Sequence, residues 1–374
     1  MKKTFYFTSE SVTEGHPDKI CDLICDSILD DILRNDKEAR VACEAMVTSN
    51  LVFLAGELKT KFNINAEKIT RNAIESIGYN DSNLGFDYKN CVVLSSFKHQ
   101  SDDISRGIEK NDYLKTGAGD QGVMFGFACK DTKQLMPLPI TLAHQLSKRL
   151  SYVRKNNILK YLKPDGKTQV TVEYENNLPK KIKTILISAQ HDKNIDQDIL
   201  KQDIIKRVIL ETGTKEFMDD GTKILINPTG RFVLGGPAAD TGLAGRKIIL
   251  DTYGGFARHG GGAFSGKDPT KVDRSAAYMS RYVAKNIVKN NLADKCEIGV
   301  AYAIGLSDPL AIFLDTFNTN KISEDKILKF IKENFDFRPG AIIERFNLNS
   351  PIYSELTNYG MAIDVCEIQK EKNQ

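Results

Sequence analysis

The segment whose residue types are most suited to chemistry is glycine-rich and runs from Asp251 to Asp268. In it, six glycines accompany Arg258, His259 and Lys267. Glycine reaches backbone conformations that other residues avoid, and it lets backbone N–H groups approach a ligand closely. A run of such N–H groups beside a lysine, just before a predicted helix start at Asp268-Pro269, is suited to bind a polyphosphate. The segment therefore predicts a site for a nucleotide triphosphate or a similar polyanion.

The phosphate-loop motif of many ATPases and kinases is an alternative interpretation of this segment. Gly261 and Gly266-Lys267 fit most of the pattern G-x-x-x-x-G-K-[ST], but Asp268 stands where that motif needs a hydroxyl for Mg²⁺. The predicted strand before the loop ends near Asp251, about a dozen residues too early for a tight strand–loop–helix unit. A phosphate-loop ATPase is therefore disfavoured, and a glycine-rich surface turn is the plain structural alternative.

Two shorter motifs place titratable residues among small ones. In Gly15-His16-Pro17-Asp18-Lys19 the histidine could meet a phosphate or leaving-group oxygen and Asp18 a metal, at a predicted helix start with unsatisfied donors. The alternative is that Asp18 only caps the helix. In Gly117-Ala118-Gly119-Asp120-Gln121-Gly122 small residues flank one acid, a pattern that is more often a turn than a ligand site.

Cationic residues gather in two further places. Arg231, Arg246 and Lys247, with Phe232 as a possible stacking partner for a base, suggest a second anion clamp, and a solvated basic turn is the alternative. Farther along, Lys267 and Lys271 are four residues apart and face the same way if both are helical. Asp273 could hold a divalent ion beside them, and a solvated helix end is the alternative.

Composition limits the class of protein. The chain has 374 residues, and at about 100–200 residues per domain this predicts two or three domains. The net charge of +3 gives no sign of a nucleic-acid partner, and no apolar run approaches the roughly 20 residues of a membrane helix. The N-terminus has no apolar secretory segment, and the seven scattered cysteines favour reduced thiols. We therefore expect a cytoplasmic protein without nucleic-acid or membrane partners.

Apolar periodicity predicts alternating helices and strands along the chain. Helices are predicted over Asp18–Asn35 and Lys271–Asn290, a hairpin over Arg40–Leu58 and a strand over Lys247–Asp251. Three successive units of about 110 residues, each with strands and two helices, indicate three related α+β domains. The expected division is into residues 1–102, a flexible active-site loop or linker at 103–116, residues 117–233 and residues 234–374.

Taken together, the motifs resemble those of one family, the S-adenosylmethionine synthetases (methionine adenosyltransferases) of bacterial type. The resemblance runs from Phe7-Thr8-Ser9-Glu10-Ser11 to about Gly360, and it is most specific in Gly117–Gly122 and Gly260–Asp268, preceded by Gly15–Lys19. It implies three pseudo-symmetric domains of mixed strands and helices around a pseudo-threefold axis. It also implies conversion of ATP, L-methionine and water to S-adenosyl-L-methionine, phosphate and diphosphate.

The same resemblance implies cofactors, partners and residue roles. The expected cofactors are magnesium ions, two in each site, and a potassium ion in each subunit, and the expected assembly is a homotetramer, a dimer of dimers with active sites between subunits. The implied catalytic residues are His16, Lys267, Arg246 and Lys271. The implied ATP contacts are His16, Asp165, Gly166, Lys167, Arg231, Phe232, Asp240, Arg246, Lys247, Ala263 and Lys267. The implied methionine contacts are Glu57, Gln100, Asp240 and Lys271. The implied metal ligands are Asp18 and Asp273 for magnesium and Glu44 for potassium.

The implied chemistry is consistent with these residue types. A thioether sulfur is nucleophilic without losing a proton, so the chain needs no Ser-His-Asp or Cys-His arrangement, and we recognise none. The chain departs from the family pattern at Thr48-Ser49-Asn50, at its C-terminal end and in having no tryptophan. A catalytically inactive nucleotide-binding protein remains a second alternative, although every matched position keeps a competent residue.

Overall fold

The chain forms three separate β-sheets within residues 4–99, 113–362 and 365, which the computed structural model describes. The strands are β1 (Thr4–Val12), β2 (Arg40–Thr48), β3 (Leu51–Lys59), β4 (Val92–His99), β5 (Gly122–Cys129), β6 (Leu162–Glu175), β7 (Leu178–His191), β8 (Lys223–Ile226), β9 (Gly242–Leu243), β10 (Lys295–Tyr302) and β11 (Ala311–Asp315). The helices are α1 (Pro17–Asn35), α2 (Ala66–Ile77), α3 (Leu138–Lys155), α4 (Gln197–Arg207), α5 (Val272–Lys289), α6 (Glu324–Asn334), α7 (Pro339–Arg345) and α8 (Tyr353–Leu356).

Each sheet combines strands that are far apart in the sequence. The strand orders are β1-β6-β7-β8, β4-β3-β2-β9 and β11-β10-β5, with β3-β4 and β7-β8 parallel and the other pairs antiparallel. The register of β1 against β6 runs from Thr4 opposite Glu175 to Val12 opposite Lys167. Strand β1 therefore leads directly from the sheet it shares with β6 into the Gly15-His16 motif.

The predicted helices and the hairpin are confirmed to within a few residues, because their apolar periodicity reflects burial on one side. Strands β2 and β3 meet at Thr48 and Leu51, and Asn50 takes a left-handed conformation (φ 57°) in the two-residue turn. Asparagine tolerates this conformation better than most residues, so the unusual turn sequence still closes the hairpin.

The predicted strand over residues 247–251 is wrong. This segment forms turns instead, closed by backbone hydrogen bonds from Asp251 N–H to Lys247 O (3.0 Å) and from Gly254 N–H to Ile249 O (2.9 Å). Its run of apolar residues resembles a strand, but the chain has already left the sheet after the short strand β9. The tight strand–loop–helix unit of a phosphate-loop ATPase is therefore missing here.

The hydrophobic core consists of two clusters of buried side chains. The smaller one lies between α3, α4 and the sheet that contains β6 and β7, and the larger one joins α1 and the β2–β3 hairpin to α5, β10 and the C-terminal helices. The larger cluster therefore buries the first hundred residues against the last hundred and forty. Among the described residues, no helix is both long and apolar enough to cross a membrane.

Candidate active site

His16 lies at the N-terminus of α1 and caps that helix. Its Nδ1 accepts a hydrogen bond from the backbone N–H of Asp18 at 3.2 Å, so the interpretation of Asp18 as the cap is wrong. Burial, reinforced by the charges of Lys247 and Lys167, lowers the pKa of His16 to about 3. The ring is therefore neutral near pH 7, with its proton on Nε2, since Nδ1 is an acceptor. His16 can donate one hydrogen bond to an oxygen atom.

Asp18 connects the start of α1 to the predicted anion clamp. Its Oδ1 accepts the backbone N–H of Leu243 at 3.0 Å, and its Oδ2 accepts Lys247 Nζ at 2.5 Å. Arg246 Nη1 lies 3.6 Å from Oδ1. Burial opposes ionisation, but the hydrogen bonds from Lys247 and Leu243 hold the pKa of Asp18 below its usual value. The carboxylate is ionised and already next to two cations.

The glycine-rich segment wraps around a second carboxylate. Lys267 Nζ donates to Asp273 Oδ2 at 2.6 Å. Gly262 lies against the same group, because a Cβ at this position would come within 2.2 Å of Asp273 Cγ. Ala263 contacts the Gly245 turn, where a Cβ would come 2.7 Å from the Ala263 methyl. The segment thus joins Lys267 and Asp273 to the turn that precedes Arg246.

Lys271 and Lys267 do not form one pair of like charges on a helix. Helix α5 begins at Val272, Lys271 precedes it at the N-cap position without a side-chain capping hydrogen bond, and the Lys271 ammonium donates to Asp268. Asp268 is fully buried, and its carboxylate also accepts the backbone N–H groups of Val41 (2.7 Å) and Thr270 (3.0 Å). This carboxylate therefore has a structural role at the position where a phosphate loop would carry its hydroxyl.

The β2–β3 hairpin places two predicted residues beside the glycine-rich segment. Cys43 N–H donates to Gly266 O at 3.0 Å, so Glu44, the next residue, comes close to Lys267. Glu44 is exposed in this chain, yet partial desolvation raises its pKa, with Lys267 opposing the shift and the carboxylates of Asp22 and Glu57 adding to it. Glu57 is also exposed and lies on the neighbouring strand.

The predicted adenosine segment lies next to the histidine motif. Gly15 packs against Pro164, since a Cβ there would come 2.4 Å from the Pro164 carbonyl oxygen. Asp165 follows it, is 7% exposed and accepts the N–H of Gly236 on Oδ2 at 2.9 Å. Its Oδ1 is buried and, within the described part of the chain, accepts no hydrogen bond. Because unsatisfied buried acceptors are costly, this atom is a candidate partner for a ligand donor.

The surroundings of Asp165 connect several predicted residues. Burial raises the pKa of Asp165 to about 6, opposed by the Gly236 N–H and Lys167 and strengthened by Asp240. Gly166 accepts the N–H of Thr13 at 2.9 Å through its carbonyl oxygen, and Lys167 and Asp240 are exposed at the surface.

Phe232 and Arg231 lie beside the end of strand β7. The backbone N–H of Phe232 donates to the His191 ring nitrogen Nε2 at 3.1 Å, and the Phe232 carbonyl oxygen accepts the backbone N–H of His191 at 2.9 Å. Arg231 is exposed, and among residues 4–99, 113–362 and 365 its guanidinium pairs with no carboxylate. Gln100 and most of the predicted loop at 103–116 lie outside the described residues.

Comparison with known proteins identifies the family. Sequence profiles for the N-terminal, central and C-terminal domains of S-adenosylmethionine synthetase match residues 4–102, 115–232 and 234–372. The S-adenosylmethionine synthase of Finegoldia magna is 53% identical over 367 residues, which cover 96% of this chain and 94% of that protein.

The chain belongs to the S-adenosylmethionine synthetase family. This membership confirms the resemblance drawn from the motifs, the α+β fold of three domains and the activity, the synthesis of S-adenosylmethionine from ATP and methionine.

Several residues that organise this synthetase site were missed in the sequence. Lys19 is buried and pairs with Asp251 at 2.8 Å and with Asp22 at 3.1 Å, and Arg274 forms a two-pronged ion pair with Asp26. The sequence contains a pattern that could have predicted these pairs, because aspartates recur every fourth residue along the amphipathic helix α1. Carboxylates at that spacing share one side of a helix, and an apolar helix that carries them needs buried partners elsewhere in the chain.

The side chains of the synthetase site can supply some, but not all, of the ligands that the expected metal ions need. Within the described residues, no group of three or more His, Cys, Asp or Glu side chains forms a metal cage. Mg²⁺ commonly takes one or two carboxylates and completes its shell with water and substrate phosphates. Asp18 and Asp273, each next to a lysine suited to hold phosphate, meet that requirement.

Proposed function

We propose that this synthetase catalyses ATP + L-methionine + H2O → S-adenosyl-L-methionine + phosphate + diphosphate by sulfur attack on the ribose C5′ carbon, followed by hydrolysis of the released triphosphate. The observation that carries the residue assignment is the pairing of Asp18 with Lys247 and of Asp273 with Lys267. Each pair couples a carboxylate suited to Mg²⁺ with a cation suited to phosphate, on segments that the glycine-rich loop holds together.

In the first step the nucleophile needs no activation, whereas the charge that develops on the leaving group must be stabilised. The methionine sulfur carries no proton, so no general base is needed, but the departing triphosphate accumulates charge at the ribose 5′ oxygen. Neutral His16 can donate its Nε2–H to that oxygen. Lys247, Lys267 and Arg246 are fixed cations for the phosphate oxygens, and they need little reorganisation as the bond breaks.

The metal ions belong to the same proposal. Asp18 and Asp273 would hold two Mg²⁺ together with phosphate oxygens, and Glu44 would contribute to a K⁺ site close to Lys267. Bound Mg²⁺ supplies neutralisation of the triphosphate charge. Without substrate, Lys247 and Lys267 are paired with those carboxylates. When substrate binds, the two lysines would bind phosphate oxygens instead, and the carboxylates would bind Mg²⁺.

The adenosine and methionine parts of the substrates are assigned to two further groups of residues. Asp165, Gly166, Lys167, Arg231 and Phe232 would contact adenosine, supported by the unpartnered Oδ1 of Asp165. Methionine would lie near Glu57, Gln100, Asp240 and Lys271; the product is a sulfonium cation, which carboxylates stabilise.

We assign the assembly as a homotetramer, a dimer of dimers with active sites between subunits, in the cytoplasm. The exposure of Glu44, Glu57, Arg231 and Asp240 supports an active site that another subunit completes. Domain limits at 1–102, 117–233 and 234–374, with a linker at 103–116, are supported by the breaks between the three family profiles.

The decisive experiment is mass spectrometry of reactions with ATP, methionine, Mg²⁺ and K⁺, using the chain and its Lys267→Ala variant. We expect S-adenosylmethionine, phosphate and diphosphate without ADP, and a loss of turnover of about a hundredfold or more in Lys267→Ala, as for other fixed transition-state donors. Formation of ADP would support a kinase or ATPase instead. Near-normal turnover in the variant would remove Lys267 from the reaction.

A further inference from the structure

Four aspartates on α1 form a buried row that faces the C-terminal third of the chain. Asp18, Asp22, Asp26 and Asp30 are spaced four residues apart, and none is more than 4% exposed. The Oδ1 atom of each accepts one backbone N–H, from Leu243 (3.0 Å), Gly245 (2.9 Å), Gly266 (2.9 Å) and Tyr353 (2.8 Å), in that order. One helix therefore holds four separate points of the later chain.

The third aspartate in this row is connected most directly to a phosphate-binding lysine. Asp26 accepts Gly266 N–H and, through both oxygens, the guanidinium of Arg274 at 2.7 and 2.9 Å. Arg274 is itself 1% exposed, and its Nη1 also lies 3.4 Å from the carbonyl oxygen of Lys267. One ion pair thus holds both the N–H of Gly266, the residue before Lys267, and the carbonyl oxygen of Lys267 itself.

The turn around Lys267 has little room to adjust on its other side. Gly266 is left-handed (φ 76°), and a Cβ there would come 2.0 Å from the Cys43 carbonyl oxygen. The backbone at Gly266 is therefore confined between strand β2 and Asp26. The flexible side chain of Lys267 starts from a Cα atom whose place Asp26 and Arg274 determine.

We propose that Asp26, acting with Arg274, is a positioning residue for Lys267 and sets where its ammonium meets the triphosphate. The inference rests on the proposed role of Lys267, and Asp26 itself touches no substrate. Misplacement of a catalytic group by about 1 Å can cost about a hundredfold in rate. Asp26 therefore contributes to turnover and not only to folding.

Asp30 is the matched control, because it lies one turn farther along the same buried row. Its carboxylate accepts the N–H groups of Tyr353 and Ser354, both at 2.8 Å, and none of these atoms belongs to a segment that carries a phosphate-binding residue. Asp30→Asn should lower the melting temperature without a comparable effect on kcat. Asp26→Asn should lower kcat about a hundredfold.

A double-mutant cycle separates positioning from general destabilisation. If Asp26 acts through Lys267, Asp26→Asn should add little to the loss of kcat already caused by Lys267→Ala, whereas Asp30→Asn should act independently of it. Calorimetric titration with inorganic tripolyphosphate provides a second measure. Binding should weaken in Asp26→Asn and stay near normal in Asp30→Asn.

The outcomes distinguish this inference from the proposed function. Normal turnover in Lys267→Ala would overturn both. A strong effect of Lys267→Ala, with Asp26→Asn matching Asp30→Asn or multiplying with Lys267→Ala, would overturn the positioning role alone. If Asp26→Asn does not fold, because Arg274 is left buried and unpaired, Arg274→Lys keeps the charge but loses the two-pronged geometry. The same cycle with Lys267→Ala then decides between the two outcomes.

Discussion

Individual side chains in this site are held in one chemical form by their immediate neighbours. His16 is kept neutral by burial and by the charges of Lys247 and Lys167, while its Nδ1 accepts a backbone N–H, and Asp18 is kept ionised by Lys247. Asp165 differs, because burial raises its pKa to about 6 and one of its oxygens is unpartnered. It is thus a residue of the proposed ATP site that changes charge in the range where the enzyme can be assayed.

The charge of Asp165 should appear in the pH dependence of ATP binding. A ligand hydroxyl or amino group donates better to the carboxylate than to the acid, so KM for ATP should fall as pH rises through about 6. Asp165→Asn should flatten this dependence. Steady-state kinetics on both sides of that pH, for both proteins, give the test, and an unchanged profile in the variant would remove Asp165 from the ATP site.

Folding stability changes with the opposite sign and needs a separate control. Because the folded pKa of Asp165 lies above the ordinary value of 3.8, the folded state binds the extra proton, and this contribution to stability is lost as pH rises toward about 6. Burial also raises the pKa of Asp251 to about 6. A stability profile therefore keeps a contribution from Asp251 when Asp165 is replaced, and KM is the cleaner measurement.

The glycine-rich loop acts as one element, since its conformation depends on contacts too close for any side chain. Gly260 lies against the Val123 carbonyl oxygen, Gly262 against Asp273 and Gly266 against the Cys43 carbonyl oxygen. Helix α1 holds the same element from the other side through Asp26. The loop is therefore a closely packed connection whose shape places Lys267 and Asp273.

Gly262→Ala tests this packing directly. Gly262 does not have a positive φ, so the added methyl acts through its collision with the Asp273 carboxylate, 2.2 Å away, and not through backbone strain. We expect kcat/KM to fall by about a hundredfold, as for a misplaced catalytic group, and the Mg²⁺ requirement to rise. Gly221→Ala is the control, because its Cβ would meet only an Asp219 oxygen at 3.3 Å. Equal activities in the two variants would contradict the assignment.

The whole molecule is linked by pairings between distant segments. Strand β1 pairs with β6, β5 with β10 and β2 with β9, and the buried carboxylates of α1 find their partners beyond residue 240. The first hundred residues therefore lack one side of two sheets and the donors for four buried acids when the rest of the chain is absent. Such a segment cannot satisfy its buried polar groups alone.

This interdependence predicts how fragments behave. Residues 1–102 expressed alone should show no cooperative thermal transition and no near-ultraviolet circular dichroism, because β1 and the acidic row of α1 have lost their partners. The full chain, measured in the same buffer, should unfold cooperatively. A sharp melting transition in the fragment would show that the N-terminal segment has an independent core.

Local patterns were sufficient to predict much of this protein. Helices such as α1 and α5 and the β2–β3 hairpin follow from apolar periodicity, because burial on one side leaves a repeating trace in the sequence. The glycine-rich loop and the histidine motif were recognisable for a similar reason, since glycine and titratable residues at short spacing reflect local chemical needs. These features led to the family, which the comparisons confirm.

Other features depend on residues that the chain brings together from far apart. The apolar run at 247–251 resembles a strand and forms turns, Lys267 and Lys271 bind different carboxylates, and each buried aspartate of α1 accepts an N–H from more than two hundred residues away. Periodicity in the sequence cannot predict such partners, because a buried carboxylate requires a hydrogen-bond donor but does not specify which residue supplies it. Packing in three dimensions selects that donor, and with it the place of each cation in the proposed triphosphate site.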